Sequence, residues 1–304
     1  MSHIVFPWAG AVFLLFLPAW TLPAAEEPAS LAELEASIQQ RIEGQPGVYG
    51  VAFEDLSSGQ RLLFNAEERT HAASLMKVPV MLTVFHLAER GEWDLERSVT
   101  VKNTFASLVD GSPFQVDFDS KGPLAAKAGQ TVSLLELVRL MITRSDNVAT
   151  DLLMEIVPAT RVMELIGRLR IEGVVVRRGV EDTKAYEAGL NNECSPRGML
   201  EVLIACRNSA LFGAQSRRQM MEILRAQEFS SMISRGIPAD SGAVVAHKTG
   251  SISWVEHDAG IVELASGRAY ALVVLSHDFG AARDKATETG AAISELVYRF
   301  AAAQ

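Results

Sequence analysis

Apolar residues recur along the chain with two different spacings, and the spacing changes twice. Leu31, Leu34 and Ile38 fall on one helical face, which predicts a helix ending near Gly44. Apolar residues then alternate on both sides of the turn at 57–59, which predicts a two-stranded hairpin. Three strands and a final helix are expected near the end of the chain, at 243–247, 259–264, 270–276 and from about 283 onward.

The middle of the chain has the spacing of helices. Capping boxes begin at Ser30 and Ser133, and Pro196 follows a serine suited to cap another helix. The segment 100–129, rich in Gly, Pro, Asp and Ser, predicts a long loop, whereas 173–194 shows no clear period. Helices are expected at 74–90, 133–144, 148–157, 160–169, from 196 through 204, and at 216–233.

Strands at both ends of the chain with helices between them predict one sheet completed by the two termini. An all-helical lobe is then inserted into it, which is an α/β plus all-α architecture. The sheet lobe is expected at about 26–70 and 235–304, and the helical lobe at about 71–234.

The first 25 residues contain no Lys, Arg, Asp or Glu, and those from Ile4 to Trp20 are almost wholly apolar. Small residues around Ala24 resemble a cleavage site, so residues 1–25 are interpreted as a signal peptide. Because the usual positive charge is missing, an uncleaved membrane anchor remains the alternative. Either way, the rest of the chain is expected outside the inner membrane, periplasmic or secreted and without membrane contact after cleavage.

Composition narrows the function classes. A hydrophobic fraction of 48% and a charged fraction of 21% are typical of a globular protein. The net charge of -9 makes nucleic acid an unfavourable partner. Cys194 and Cys206 are expected to be unpaired thiols, since a helix from 196 would hold them about 16 Å apart. The histidines are too scattered for a metal site, and no nucleotide-binding loop is present, so neither metal nor cofactor is expected.

Three short polar motifs stand out: Ser74-Leu-Met-Lys77, Ser145-Asp-Asn147 and Lys248-Thr-Gly250. Each alone also fits an ordinary helix cap, helix end or strand end. Residues three apart share a helical face, so Lys77 is expected to touch Ser74. A serine hydroxyl is a weak nucleophile until a neighbouring base takes its proton, and a buried lysine can serve when its pKa is lowered.

The other two motifs supply complementary groups. Ser145 offers a hydroxyl for proton relay, and Asn147 an amide that can hold Lys77 or a substrate amide. Lys248 adds positive charge for a carboxylate and Thr249 a hydroxyl, at the expected end of an edge strand suited to bind an extended substrate.

Together, in this order, the motifs resemble those of the class A β-lactamase and penicillin-recognising serine hydrolase superfamily. The resemblance covers nearly all of residues 26–304, and implies a β-lactamase-like catalytic domain with an antiparallel sheet, a small-molecule substrate and a monomer. It also implies an acyl-enzyme on Ser74, with Lys77 as base and Ser145 as proton relay. The implied substrate contacts are Asn147, Lys248 and Thr249, with an oxyanion hole made by the N–H groups of Ser74 and Ser251.

Destruction of a β-lactam also needs a carboxylate that activates water against the acyl-enzyme. In the family this group belongs to an E-x-x-L-N pattern, which Glu187 begins here. Glu187 lies farther from the second motif than in the family, and Glu181 is the rival. Glu187 is the residue that the pattern favours.

Two departures from the family leave the activity open. The family's arginine about ten residues past the Lys248 position is missing, since Glu256, His257 and Asp258 stand there, and the segment 100–129 is longer. A serine β-lactamase is the first hypothesis. A related hydrolase of esters or peptidoglycan D-alanyl peptides is the second, and a non-catalytic penicillin-sensing domain is the third.

Overall fold

The computed structural model describes residues 28–304, so the predicted signal peptide lies outside the described residues. The α-helices are α1 (Leu31–Ile42), α2 (Lys77–Glu89), α3 (Leu134–Thr143), α4 (Asn147–Ile156), α5 (Ala159–Arg168), α6 (Thr183–Glu187), α7 (Pro196–Asn208), α8 (Ala214–Arg225) and α9 (Arg283–Ala303). The strands are β1 (Val48–Asp55), β2 (Arg61–Phe64), β3 (Thr70–His71), β4 (Ser98–Thr100), β5 (Thr104–Ala106), β6 (Pro113–Gln115), β7 (Thr131–Ser133), β8 (Val174–Val175), β9 (Glu193–Cys194), β10 (Val244–Ile252), β11 (Val255–Glu263) and β12 (Ala269–His277).

A five-stranded antiparallel sheet joins the two ends of the chain. Its order is β10-β11-β12-β1-β2, so that the amino-terminal hairpin pairs with the last strand through Val51 and Val274. The predicted sheet made by both ends, with helices flanking it and a helical region inserted, is confirmed. Strand β10, which carries Lys248 and Thr249, is an edge strand of this sheet.

Both faces of the sheet are buried. Leu34 of α1 and Val297 of α9 pack with Phe53 and Leu272 on one face. On the other face, α7 packs against β1 and β12 within the core of the helical region. Burial on both faces explains why β11 and β12 are almost continuously buried.

Side-chain caps begin the helices where the sequence predicts them. The Ser30 Oγ accepts from the Glu33 N–H, and Ser195 caps α7 with Pro196 in its first turn. These caps satisfy N–H groups that a helix start leaves without partners. Cys194 and Cys206 are buried and unpaired, as expected, and burial raises the pKa of both thiols.

Three segments differ most from the elements predicted from the sequence. The segment 100–129 is not only a loop, because β5 and β6 form a hairpin within it. The buried ring of Phe105 packs against Phe114 in this hairpin, with 5.9 Å between the two ring centroids. Strand β10 continues through Ile252, since Lys248 and Thr249 pair with β11. Helix α8 ends at Arg225, and the Ile233 N–H donates to Asp258 Oδ2 on the sheet at 2.9 Å.

None of the helices between residues 28 and 304 combines the length and the apolar character needed to cross a membrane. In the same part of the chain, no three or more His, Cys, Asp or Glu side chains group together as metal ligands.

Candidate active site

Ser74 lies in a short 3-10 turn, Ala73–Met76, that leads into α2. The turn begins with backbone strain, since Ala73 has a φ of 43°, a left-handed value that costs free energy in a residue with a Cβ. Strand β10 runs close beside it: a Cβ on Gly250 would lie 3.3 Å from the Leu75 nitrogen and the Ala72 oxygen. Glycine at 250 therefore allows the third motif to lie directly against the serine turn.

Ser145 lies between α3 and α4, in a turn that also requires a left-handed backbone, with a φ of 55° at Ser145 itself. Asp146 then caps α4 by accepting from the Ala149 N–H at 2.8 Å. The polar run that the sequence indicates as a helix end therefore ends one helix and begins another. This turn places Ser145 and Asn147 at the bottom of the cleft.

The lysines of the first and third motifs meet at the second. Lys77 Nζ donates to the Ser145 carbonyl at 2.7 Å and to Asn147 Oδ1 at 2.8 Å, and its distance to Ser145 Oγ is 3.2 Å. Lys248 Nζ lies 3.1 Å from the same Oγ and donates to the Thr249 carbonyl at 2.8 Å. The Ser145 hydroxyl thus lies between two ammonium groups, and the three motifs converge in one cleft.

No hydrogen bond joins Lys77 to Ser74 in the described chain, although the two residues lie one turn apart. The ammonium of Lys77 is held instead by Ser145 and Asn147. The Ser74 side chain instead lines the open cleft.

The cleft consists of two adjoining cavities of about 400 and 580 Å³. They share Ser74, Asn147 and Ser251. The first extends toward Glu181 and the second toward Thr249 and the start of α9. The predicted nucleophile therefore lies at the centre of a cavity large enough for a small-molecule substrate.

Burial sets the electrostatics of both lysines. Both side chains are fully buried, and burial lowers the pKa of Lys77 to about 8, although the carboxylates of Asp146, Asp151 and Glu181 oppose the shift. Burial also lowers the pKa of Lys248, and the charge of Lys77 adds to that effect. A lysine that is neutral part of the time can accept a proton.

The structure brings Glu181, not Glu187, to the cleft. Glu181 Oε1 accepts from Asn147 Nδ2 at 2.6 Å and lines the same cavity as Ser74. Glu187 is exposed at the end of the short helix α6. The residue that this helix buries is Ala185, so Glu187 lies on the solvent side. The structure therefore places Glu181, the rival residue, in the cavity that Ser74 lines, and Glu187 outside it.

An arginine that the motif spacing did not reveal reaches the other end of the cleft. Arg283, the first residue of α9, donates to Ser251 Oγ at 3.0 Å and to the Ile252 carbonyl. The Ser251 hydroxyl in turn donates to Glu256 Oε2 at 2.8 Å, and burial raises the pKa of Glu256. Only the pairing of β10 with β11 and the docking of α9 place these three side chains together.

Comparisons with known proteins identify the family of this chain. The sequence model of the β-lactamase enzyme family matches residues 33–301. A β-lactamase of Bacteroides uniformis is 25% identical over 305 residues, which cover 95% of this chain and 97% of that protein. The extended-spectrum β-lactamase PER-1 of Pseudomonas aeruginosa is 24% identical, over 88% of this chain and 87% of its own.

Solved structures share the fold. A β-lactamase from Chitinophaga pinensis superimposes with a TM-score of 0.76 and 23% sequence identity. The match covers 89% of this chain and 99% of that one. PBP-A has a TM-score of 0.75 with 24% identity, over 90% of this chain and 98% of its own. With the family match spanning most of the sequence, the chain belongs to the β-lactamase enzyme family and is a class A-like serine hydrolase.

Proposed function

We propose that this protein hydrolyses β-lactams through an acyl-enzyme on Ser74. The observation that carries the proposal is the convergence of Lys77, Ser145 and Lys248 beside the cleft that Ser74 lines. These groups can take a proton from a hydroxyl and return one to a leaving nitrogen, which are the two proton transfers that opening a β-lactam requires.

In the acylation step, Ser74 Oγ attacks the β-lactam carbonyl and its proton passes to neutral Lys77, whose amine must come within hydrogen-bond distance of Ser74 Oγ as the substrate binds. The C–N bond of the ring breaks, and the Ser145 hydroxyl gives its proton to the nitrogen. The two lysines beside Ser145 Oγ can replace that proton. The N–H groups of Ser74 and Ser251 are assigned to the developing oxyanion, where fixed donors lower the barrier.

Glu181 is assigned the deacylation step. Its carboxylate lies in the same cavity as Ser74 and is held by the amide of Asn147. As general base it takes a proton from water, and the resulting hydroxide adds to the ester. The bond to Ser74 Oγ then breaks as the proton held by Glu181 is returned to that oxygen, which restores the hydroxyl and the carboxylate. The same amide contacts Lys77, so Asn147 links the acylating and deacylating groups.

The direct test is intact-mass kinetics after mixing the protein with benzylpenicillin. A transient adduct of one penicillin mass, together with turnover of the chromogenic β-lactam nitrocefin, is the expected result. A lasting adduct without turnover favours a penicillin-sensing domain instead. The absence of any adduct contradicts the proposal.

One observation favours a second substrate class. Glu256 is buried beside Ser251, at the end of the cleft assigned to the substrate carboxylate, and its negative charge weakens anion binding there. Of the alternative substrates, this observation favours an ester without an acid group, since a peptidoglycan D-alanyl peptide carries a carboxylate as a β-lactam does. Fast hydrolysis of such an ester with slow nitrocefin turnover would select it.

Arg283→Ala is expected to raise the KM for benzylpenicillin by about 10-fold or more, because a charge-assisted hydrogen bond is worth roughly 1.5–3 kcal/mol. The guanidinium lies on Ser251 and is the cationic group proposed to anchor the substrate carboxylate together with Lys248 and Thr249. Steady-state kinetics measure the change. Arg299→Ala is the matched control, since Arg299 lies on the same helix and pairs only with Glu295 on the surface. An unchanged KM in Arg283→Ala would contradict the anchoring role.

Acylation is expected to accelerate as pH rises and to level off above about pH 8, the lowered pKa of Lys77. Below that pH the neutral lysine, which accepts the Ser74 proton, becomes about tenfold rarer with each unit. Stopped-flow measurement of adduct formation in Glu181→Gln isolates acylation from deacylation. A rate that falls as pH rises toward 8 would exclude Lys77 as the base, and Lys77→Arg should lack the rising limb.

We also propose that residues 1–25 direct export, so that the enzyme acts in the periplasm or outside the cell. The support is the apolar, uncharged sequence of that segment. Amino-terminal sequencing of the protein recovered from a periplasmic extract tests this. A retained Met1 in the membrane fraction would instead indicate an anchor.

A further inference from the structure

Glu256 lies in the wall of the larger cleft cavity, where it faces Ser251 in the pairing of β11 with β10. Its side chain is only 8% exposed. Water screens a charge in such a place less than it screens a charge on the surface. A carboxylate of the protein therefore lies at the end of the cavity to which the carboxylate of a substrate is assigned.

The hydroxyl of Ser251 is engaged by this carboxylate. Ser251 Oγ donates its proton to Glu256 Oε2 at 2.8 Å and accepts from Arg283 Nη1 at 3.0 Å. A hydroxyl has a single proton to donate, so Ser251 offers no donor to a substrate while Glu256 accepts that proton. Ionised Glu256 thus occupies a hydrogen bond that a bound carboxylate could otherwise receive.

Glu256 also offsets the charge of Arg283. Arg283 Nε lies 3.9 Å from Glu256 Oε2, and the guanidinium donates to the Ile252 carbonyl as well as to Ser251. One positive and one negative group therefore lie side by side at this end of the cavity. A carboxylate placed there is attracted by Arg283 and repelled by Glu256, so it gains less than the arginine alone would give.

Protonation of Glu256 reverses both effects. Burial raises the pKa of Glu256, and the carboxylate of Asp258 on the same strand adds to the rise, although the Ser251 hydroxyl and Arg283 oppose it. The protonated carboxyl group carries no charge and can donate to Ser251 Oγ, which leaves the proton of Ser251 free for a ligand.

The other charged groups around Glu256 come from few elements. On β12 its partner is Ser276, which carries no charge, and the titratable residues of β10 are Lys248 and His247. Arg144 lines the same cavity and is paired with two acidic side chains outside it. Among the described residues, Glu256 is the one acidic side chain in the wall of this cavity.

We propose that Glu256 is a specificity-determining residue whose ionised form lowers the affinity of the cleft for substrates that carry a carboxylate. Protonation or neutral replacement of Glu256 then strengthens the binding of such substrates and leaves neutral ones unchanged. This role rests on the proposed function in one respect, the binding of the substrate carboxylate at the Ser251 end of the cleft. A purely structural role predicts the opposite sign, since a damaged wall binds ligands more weakly.

The test is a nuclear magnetic resonance titration with phenylacetylglycine, a carboxylate, and with its neutral primary amide. Neither compound has an ester or a β-lactam ring for Ser74 to open, so both affinities can be measured whether or not the protein hydrolyses β-lactams. In Glu256→Gln the affinity for the carboxylate is expected to rise by about fivefold or more, the scale of one unfavourable charge pair, while the affinity for the amide stays within about twofold. Glu288→Gln is the matched control and should change neither affinity, since Glu288 is exposed on α9 and lies outside the cavity wall.

A second measurement follows the affinity of the unmodified protein for phenylacetylglycine as pH falls from about 8 to about 5, a range in which a glutamate with a raised pKa begins to gain its proton. The affinity is expected to rise more steeply than in Glu256→Gln. Lys77 and Lys248 gain protons in both proteins, so the difference between the two curves isolates Glu256.

Equal or weaker carboxylate affinity in a folded Glu256→Gln, or the same gain for the amide, would overturn the role of Glu256. Parallel pH curves in the two proteins, or no saturable shift at Ser251 with the carboxylate, would overturn it as well. The absence of a benzylpenicillin adduct would instead count against the proposed function alone, because these affinities do not depend on acylation.

Discussion

Ser74→Ala is expected to abolish the covalent benzylpenicillin adduct and to lower β-lactam turnover by roughly 10⁶-fold, the scale seen when a serine hydrolase loses its nucleophile. The physical reason is that the other hydroxyls near this point are already engaged, since Ser145 Oγ lies between the two lysines and the Ser251 hydroxyl donates to Glu256. Lys77 and Ser145 retain their mutual contact in this variant, since neither hydrogen bond involves Ser74. Intact-mass spectrometry and nitrocefin kinetics measure the two effects.

Ser253→Ala is the matched control for this variant. Ser253 lines the same cavity as Ser74 but is exposed and lies beyond the three motifs. It should keep both the adduct and the turnover. An adduct that persists in Ser74→Ala would place the nucleophile elsewhere and would remove the basis of the proposed mechanism.

Glu181→Gln is expected to convert the transient benzylpenicillin adduct into a lasting one, slowing deacylation by about 10²–10⁴-fold, the usual contribution of a general base. Glutamine can still accept from the Asn147 amide but cannot take a proton from water. Acylation should continue, because Lys77 and Ser145 are unchanged. The adduct lifetime, followed by intact mass after excess drug is removed, is the measurement.

Glu187→Gln supplies the control, and it also tests the sequence prediction against the structure. Glu187 is exposed at the end of α6, so this variant should release the adduct as fast as the unmodified enzyme. The opposite pattern, with a lasting adduct in Glu187→Gln and normal release in Glu181→Gln, would show that the E-x-x-L-N pattern was the better guide.

Features that depend on neighbouring residues were predictable. The caps at Ser30, Ser133 and Ser195 begin helices where expected, since each oxygen accepts from an N–H three residues later. The hairpin of β1 and β2 and the long helix α9 also follow from local spacing of apolar residues. The order and spacing of the three motifs were enough to suggest the superfamily.

Features that depend on contacts between distant segments could not be predicted from the sequence. Strand β10 extends through polar residues because β11 supplies hydrogen-bond partners, which hydropathy does not reveal. The end of α8 at Arg225 places Ile233 where its N–H meets Asp258 on the sheet. The β5–β6 hairpin was not predicted, because its segment is rich in loop residues and the burial of Phe105 is visible only in the structure.

Residue types and local spacing carry the three motifs, the helix starts and the strands that hold them, and they were enough to indicate the kind of enzyme. The presence of Glu181 and Arg283 at the cleft, by contrast, emerges from the folded chain alone. Glu181 meets Asn147 across 34 positions and Arg283 meets Ser251 across 32. Such contacts depend on how loops and helices pack on the sheet. A sequence motif does not specify the direction in which a side chain of an irregular segment points.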